Sequence, residues 1–271
     1  MITLTLKQPP TVPLEAESIT PDLMVAASNA EIRALPVFHG KRQCRLDEYF
    51  DVDGDRSDQI VVRGDAAKVK WLGRGMTRGA IRVEGNAGMH LGAYMKGGAI
   101  EVTGSGSDWI GAEMKAGSIH VHGNVGGQIG AAYRGSLQGM RGGVIRVGGS
   151  AGLEIGMRMR RGLIIVEGKV RDFAGLQMKG GTICLMQGAE LRTGAWMIRG
   201  TIISLAPIPL LPTFSHACDG HPVVLRLLAK KLAQLGLSLP FSEHDGLYRQ
   251  YSGDFSVPGR GELFVWQPNA A

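Results

Sequence analysis

The chain is poor in the residues on which many folds and chemistries depend. Aromatic residues make up only 6% of its 271 residues, and there are 3 cysteines. Cys44, Cys184 and Cys218 are far apart and odd in number, so free thiols in a reducing cytoplasm are expected, not a disulfide framework. No Cys-x-x-Cys pair occurs, which argues against a cysteine-based zinc site or iron–sulfur cluster. No apolar run approaches the roughly 18 residues needed to cross a bilayer, so no membrane association is expected. The N-terminus, MITLTLKQPP, lacks a basic stretch followed by an apolar one and does not read as a signal peptide. The formal net charge of +6 suits an acidic partner. The scarcity of aromatics and the lack of a recognised nucleic-acid motif argue that this partner is not a nucleic acid.

What the chain has in excess is glycine, 41 residues against 12 prolines. The glycines mark a repeat. GAYMKGG (92–98), GAEMKAG (111–117) and GLQMKGG (175–181) nearly copy one another. The methionine recurs at Met76, Met95, Met114, Met140, Met159, Met178 and Met197, in steps of 19, 19, 26, 19, 19 and 19. An aliphatic position recurs from Val62 and Ile81 through Ile100, Ile119, Ile145, Ile164 and Ile183 to Ile202. A second aliphatic column follows two residues later, from Val83 to Leu185. Glycines recur at Gly73 to Gly194 and at Gly79 to Gly200 in the same register. The single break is an insertion within Ala131 to Gly139 (AAYRGSLQG), which reads as one loop protruding from a regular array.

Each unit carries I-x-V, a period-two strand signal rich in β-branched residues. A unit of this size cannot bury its apolar face alone, but it can when stacked on a copy of itself. The expected fold is all-β: a right-handed parallel β-helix of about seven 19-residue coils, a rod of roughly 33 Å at ~4.8 Å per rung. The leucine-rich pattern is absent, and a propeller blade needs units of about 40 residues. The aliphatic and methionine columns are then core. Residues 1–59 are expected to cap one end, 60–204 to form the repeat, and 205–271 to supply a linker, a helix and a strand at the other end. MITLTLK reads as a strand, Ser28 to Glu31 as the start of a helical turn, and RLDEYFDVDG as a strand running into a turn. After the proline-rich APIPLLPTF, Val223 to Leu235 reads as an amphipathic helix between Pro222 and Gly236, and GELFVW as a last strand.

Catalytic signatures are missing. DVDGDRSD fails as a calcium loop, because the positions that require glycine and a carboxylate are Arg56 and Val62. No Gly-x-Ser-x-Gly and no P-loop ending occurs, and no acidic face repeats as in the polysaccharide-cleaving β-helices. His120-x-His122 should project from one strand face. With no third ligand on adjacent rungs apart from Glu101 and Glu84, the pair reads as exposed strand residues, and no metal site is expected. What stands out is a base after five consecutive methionines, Lys96, Lys115, Arg141, Arg160 and Lys179, while the first and last coils carry Arg78 and Arg199 one place further on. Stacked coils would align these five into a column facing an acidic chain or an acidic partner surface, or standing as a solvated corner that prevents edge association.

The units GAIRVEGNAG (79–88) and GVIRVGGSAG (143–152) resemble the glycine-repeat β-helix at the C-terminus of glutamate synthase. They resemble more closely the C subunit of formylmethanofuran dehydrogenase, and above all the branch found in the formyltransferase/hydrolase complex of methylotrophic bacteria. The tail YSGDFSVPGRGELFV (251–265) is similar to that family's ending. The resemblance implies a cytoplasmic, non-catalytic assembly subunit with no cofactor and no catalytic residue of its own. Its implied partners are an amidohydrolase-like hydrolase subunit, a formyltransferase subunit and a dehydrogenase-like B subunit. The implied carriers of the complex are tetrahydromethanopterin and methanofuran or methylofuran, the furan carrier bearing an acidic polyglutamate tail. The archaeal alternative is a tungsten or molybdenum dehydrogenase.

Overall fold

The computed structural model describes residues 1–242 and 244–269. Its elements run β1 (Ile2–Leu6), β2 (Leu14–Glu15), α1 (Pro21–Met24), α2 (Asn29–Arg33), β3 (Pro36–His39), β4 (Arg42–Arg45), α3 (Leu46–Tyr49) and β5 (Phe50–Asp53). The repeat follows with β6 (Gln59–Arg63), β7 (Val69–Lys70), β8 (Ala80–Glu84), β9 (Lys96–Val102), β10 (Ala116–Val121), β11 (Arg141–Val147), β12 (Arg161–Val166), β13 (Lys179–Leu185) and β14 (Arg199–Ser204). The chain ends with β15 (Ser215–Gly220), α4 (Val223–Ala233), β16 (Gly246–Gly253) and β17 (Arg260–Pro268). The class is all-β: among the described residues, one 13-stranded sheet dominates, beside a 4-stranded sheet of β4, β3, β2 and β7.

Parallel pairing runs from β1 through β6 and β8 to β14, and ends at β17. The register aligns the repeat with itself. Ile60, Ile81, Ile100, Ile119, Ile145, Ile164, Ile183 and Ile202 stand opposite one another in turn, with Val62, Val83, Val102, Val121, Val147, Val166 and Leu185 two residues on. Both columns continue beyond the repeat, into Ile2 and Leu4 at one end and Leu263 and Val265 at the other. The seven methionines are at most 1% exposed and join these columns in one core. Each such side chain stabilises the fold by roughly 1.5–3 kcal/mol on burial.

Methionine and the closing glycine recur together for a steric reason. Gly117 has φ +95°, and a Cβ there would lie 2.6 Å from Met95 Cε and 2.6 Å from the Gly98 carbonyl oxygen. The thioether methyl of one repeat therefore occupies the space that a side chain on the next repeat would need. A left-handed φ is also a conformation that β-carbon-bearing residues rarely adopt.

The middle residue of each I-x-V points away from this core. In pairing order that column reads Val61, Arg82, Glu101, His120, Arg146, Ile165, Cys184, Ile203 and Phe264. After Val61 it is polar as far as Arg146 and apolar beyond. The apolar half forms a second core, where Ile165, Cys184, Ile203 and Phe264 pack with Leu225 and Leu232 of α4 and with Tyr248 and Trp266. Arg146 marks the boundary: its Nη1 donates to the Leu235 carbonyl (2.5 Å) and its Nε to Glu167 (2.7 Å). Burial also raises the Cys184 thiol to about 12, so it packs as a neutral apolar group.

The ends are closed by hydrogen bonding. At the first repeat the Thr77 N–H donates to the Asp22 carboxylate at 2.8 Å, where later repeats use a methionine carbonyl. At the last repeat the Asp254 carboxylate, 2% exposed, accepts from the N–H groups of Trp196 (2.9 Å) and Ser256 (2.8 Å). Burial works to raise the pKa of Asp254, but these hydrogen bonds hold it below the usual carboxylate range. The family-like tail thus fastens the final turn.

Three local readings of the sequence need correction. Val62 does not stand with Ile81: Ile60 does, and Val62 pairs with Val83 in the second column, because the first unit is two residues longer. RLDEYFDVDG is interrupted by the helical turn α3, because the Glu48 carboxylate accepts the Arg45 N–H at 2.9 Å and starts a helix between two strands. The Ala131–Gly139 insertion does not simply protrude. Ala131 and Ala132 are buried, Gly139 N–H donates to the Arg158 carbonyl (2.9 Å), and Arg158 Nη1 donates to the Ser136 carbonyl (2.5 Å). Leu137 at its tip is exposed. At Ser28 the helical turn forms as the sequence suggests, with the Ser28 N–H donating to Glu31 Oε2 at 2.8 Å.

Candidate functional site: a cationic band and an open strand face

Lys96, Arg141 and Lys179 begin the strands of their repeats, and Lys115 and Arg160 stand one residue before theirs. Backbone hydrogen bonds stack the bases: the N–H groups of Lys96, Lys115, Arg141, Arg160 and Lys179 donate to the carbonyls of Met76, Met95, Met114, Met140 and Met159 at 2.7–2.9 Å. The five residues therefore lie in a column. The strand register shifts at this point, so Arg141 also stands opposite Arg161, and Lys179 opposite Arg199, which in turn faces Arg260. The sequence reading found these five and placed Arg199 one position on; it missed Arg161, which a bulge brings into the same band, and Arg260, which comes from β17 outside the repeat. Arg160, Arg161, Lys179, Arg199 and Arg260 converge on a surface recess of about 550 Å³. Lys96, Lys115 and Arg141 continue the band towards the other end.

None of these eight cations forms a salt bridge among the described residues. The outward face of the strands behaves differently: Arg63–Glu84 (2.9 Å), Arg82–Glu101 (2.5 Å) and Arg146–Glu167 (2.7 Å) compensate one another. Like charges one rung apart, at ~4.8 Å, repel by about 0.9 kcal/mol in water and by more near a low-dielectric surface. An extended polyanion laid along the rungs would relieve that repulsion. Beside the band, Leu137, Trp196, Ile198 and Val257 line an adjoining recess shared with Lys179.

His120 and His122 project from the same face, with ring centroids 4.1 Å apart. Glu101 on the neighbouring strand stands opposite His120 and contacts His122, its Oε1 lying 2.9 Å from Nε2. His120 is held below its ordinary pKa by desolvation first, then by the charges of His122 and Arg146.

The sequence reading also overlooked an aromatic corner. Trp71, His90 and Trp109 recur at the repeat spacing, and each takes a left-handed φ of +63° to +67°. His90 stacks on Trp71 at 4.1 Å, and its Nδ1 lies 2.8 Å from the Tyr133 hydroxyl. Tyr133 comes from the insertion and stacks on Trp109 at 4.9 Å. The signal was available as aromatic residues in register, 19 apart. Desolvation, with Lys70 adding to it and Asp108 opposing, lowers His90 to about 4. The sign follows directly: the folded protein refuses a proton that the unfolded chain accepts near 6.5. The contribution of His90 is complete above about pH 6.5 and declines as pH falls towards about 4. Substituting His90→Asn, which tolerates the left-handed backbone, is expected to flatten the stability slope between those values relative to the parent. Urea unfolding at several pH values measures this. Equal slopes would rule out His90 as the source.

The sequence model of the GXGXG motif family matches residues 55–229. The C subunit of the tungsten-containing formylmethanofuran dehydrogenase 2 of Methanococcus maripaludis is 46% identical over 269 residues, covering 97% of this chain and 95% of that protein. Its counterpart from Methanothermobacter thermautotrophicus is 40% identical over 97 residues, a match that spans 36% of that relative's length. Among solved structures, a chain of the formyltransferase/hydrolase complex (FhcABCD) from Methylorubrum extorquens, crystallised with methylofuran, superposes with a TM-score of 0.87 at 34% identity. That likeness covers 97% of this chain and 98% of the other. Similarity sustained from end to end at this level has one meaning: the chain belongs to the family of formylmethanofuran dehydrogenase C subunits.

Proposed function

We propose that this chain is a non-catalytic assembly subunit of a cytoplasmic complex of several different chains. The complex moves a formyl group from a tetrahydropterin carrier to a methanofuran-like carrier and hydrolyses it to formate. The observation that carries this reading is the likeness over nearly the whole chain to one chain of the formyltransferase/hydrolase complex. In this reading the stacked rungs form a right-handed β-helix of seven coils over residues 60–204, capped by 1–59 and by 205–271. Catalysis belongs to companion chains: an amidohydrolase-like hydrolase, a formyltransferase and a dehydrogenase-like B subunit. The cationic band, with Lys96, Lys115, Arg141, Arg160 and Lys179 as its column, holds the acidic tail of the furan carrier or an acidic partner surface. The recess beside Trp196 and Ile198 suits a companion chain.

A second reading is favoured by the 46% identity to a tungsten-enzyme subunit: the chain would serve a tungsten or molybdenum formylmethanofuran dehydrogenase. One preparation decides between them. The native complex is purified, its companion chains are identified by mass spectrometry, and its tungsten and molybdenum are measured. A hydrolase complex contains neither metal, and the purified single chain turns over no formyl carrier. Stoichiometric tungsten or molybdenum would favour the second reading. Turnover by the single chain would exclude both.

A further inference from the structure

The open half of the outward strand column contains one residue that its neighbours do not satisfy. Arg82 and Glu101 bind each other, and Arg146 is held by Glu167 and the Leu235 carbonyl. Between them stands His120, which forms no hydrogen bond among the described residues. Because side chains two residues apart share a strand face, His122 stands beside it. Because the repeats pair in register, Glu101 is delivered to the same spot from the next rung. The donor atoms of Glu101, His120 and His122 all lie within 4.8 Å of one another.

We propose that Glu101, His120 and His122 form a three-ligand site for a divalent transition-metal ion, zinc by its donor chemistry, on the open face of the sheet.

Two imidazole nitrogens and one carboxylate oxygen are a donor set that zinc accepts, leaving a fourth position for water. Modest rotation of the three exposed or half-buried side chains brings the donors to the ~3.3 Å spacing of a tetrahedral zinc site. The ion replaces the proton now shared between Glu101 Oε1 and His122 Nε2, and it gives His120 its missing partner. The surroundings tolerate the charge. When Glu101 turns to the ion, Arg63 and Arg82 keep Glu84 as a partner (2.9 and 3.6 Å) and Arg146 keeps Glu167. A groove of about 400 Å³, lined by Arg82, Ala99, Glu101, Ser118 and His120, leaves room for the fourth ligand. The register of β9 and β10 fixes Glu101 and His120, and His122, one residue past β10, is held by its N–H donating to the Val102 carbonyl at 3.0 Å.

The test uses the full-length chain, stripped with a chelator and titrated with zinc chloride at neutral pH by calorimetry, with metal content measured independently. One equivalent is expected to bind. His120→Gln and His122→Gln should each weaken binding by about tenfold or more, and the double variant should lose the site. His216→Gln and Cys218→Ser, on the exposed strand β15, should leave it unchanged. Arg82→Ala removes a competing cation and frees a carboxylate oxygen, so it should tighten binding. Cobalt in place of zinc should give the visible absorption of a four-coordinate nitrogen and oxygen site. The proposal fails if no saturable equivalent binds, if the double histidine variant binds as the parent does, or if Arg82→Ala weakens the site.

Discussion

Gly117→Ala is expected to destabilise the protein by about 3 kcal/mol, seen as a drop in the urea midpoint without a change in slope. Two terms add. A left-handed φ strains a residue bearing a β-carbon by roughly 1–2 kcal/mol. The new methyl meets Met95 Cε and the Gly98 carbonyl oxygen, each at 2.6 Å, and overpacking of this kind typically costs about 1–3 kcal/mol. The double variant with Met95→Ala separates the two. Met95→Ala alone empties a buried site and should cost about 2–5 kcal/mol. If the methyl and the thioether compete for one space, the pair together will lose less than the sum, with a coupling of about 1 kcal/mol. Strict additivity would mean that the backbone clash and strain alone exclude a side chain at Gly117. The same geometry explains why methionine serves here. Its unbranched chain reaches across a rung spacing and ends in the methyl that sits against the next glycine.

Reversing two charges in the recess should produce the largest functional effect. In the intact complex, Arg160→Glu with Lys179→Glu replaces two uncompensated cations by anions at the point where Arg161, Arg199 and Arg260 also converge. Affinity for the carrier with its polyglutamate tail, or for a polyglutamate chain used as a probe, should fall by about 100-fold. That is the loss expected when close charge pairs across an interface are reversed. The dependence of affinity on salt should flatten, because fewer ions are released or screened on binding. An unchanged affinity and salt slope in an assembled complex would reduce the band to a solvated corner. Failure of the complex to assemble would instead assign the band to a protein partner, which gel filtration of the same variant detects.

The inner face of this protein was legible in its sequence because stacking in register repeats the same environment on every rung. Ile100, Ile119 and Ile145 face the same core, so they are the same residue. The outer face was less legible because its environment differs along the array. LIIV (163–166) and TIIS (201–204) are continuous apolar runs or close to it, the mark of strands covered on both faces. Read beside AIRVE (80–84), they locate the cover provided by α4. The aromatic corner at His90 was missed for another reason: Tyr133, which completes it, comes from the one segment that breaks the period. In the cationic band, a bulge added Arg161 beside Arg160, and bulges leave no mark in spacing. The third histidine-site ligand, Glu101, lay in view as a neighbouring rung, but its meeting with His122 depends on side-chain reach that a repeat alignment does not supply.

The change of the outward column after Arg146 has a consequence for how such an array can vary. Repeat proteins lengthen and shorten by whole units when any unit can stand in for another. Here that interchangeability holds only for the open half, where both neighbours of a rung present charged groups to water. Past Arg146 each rung must also fit beneath α4, so the insertion or loss of one would leave apolar surface bare or the helix without a seat. The array is modular at one end and fixed in number at the other.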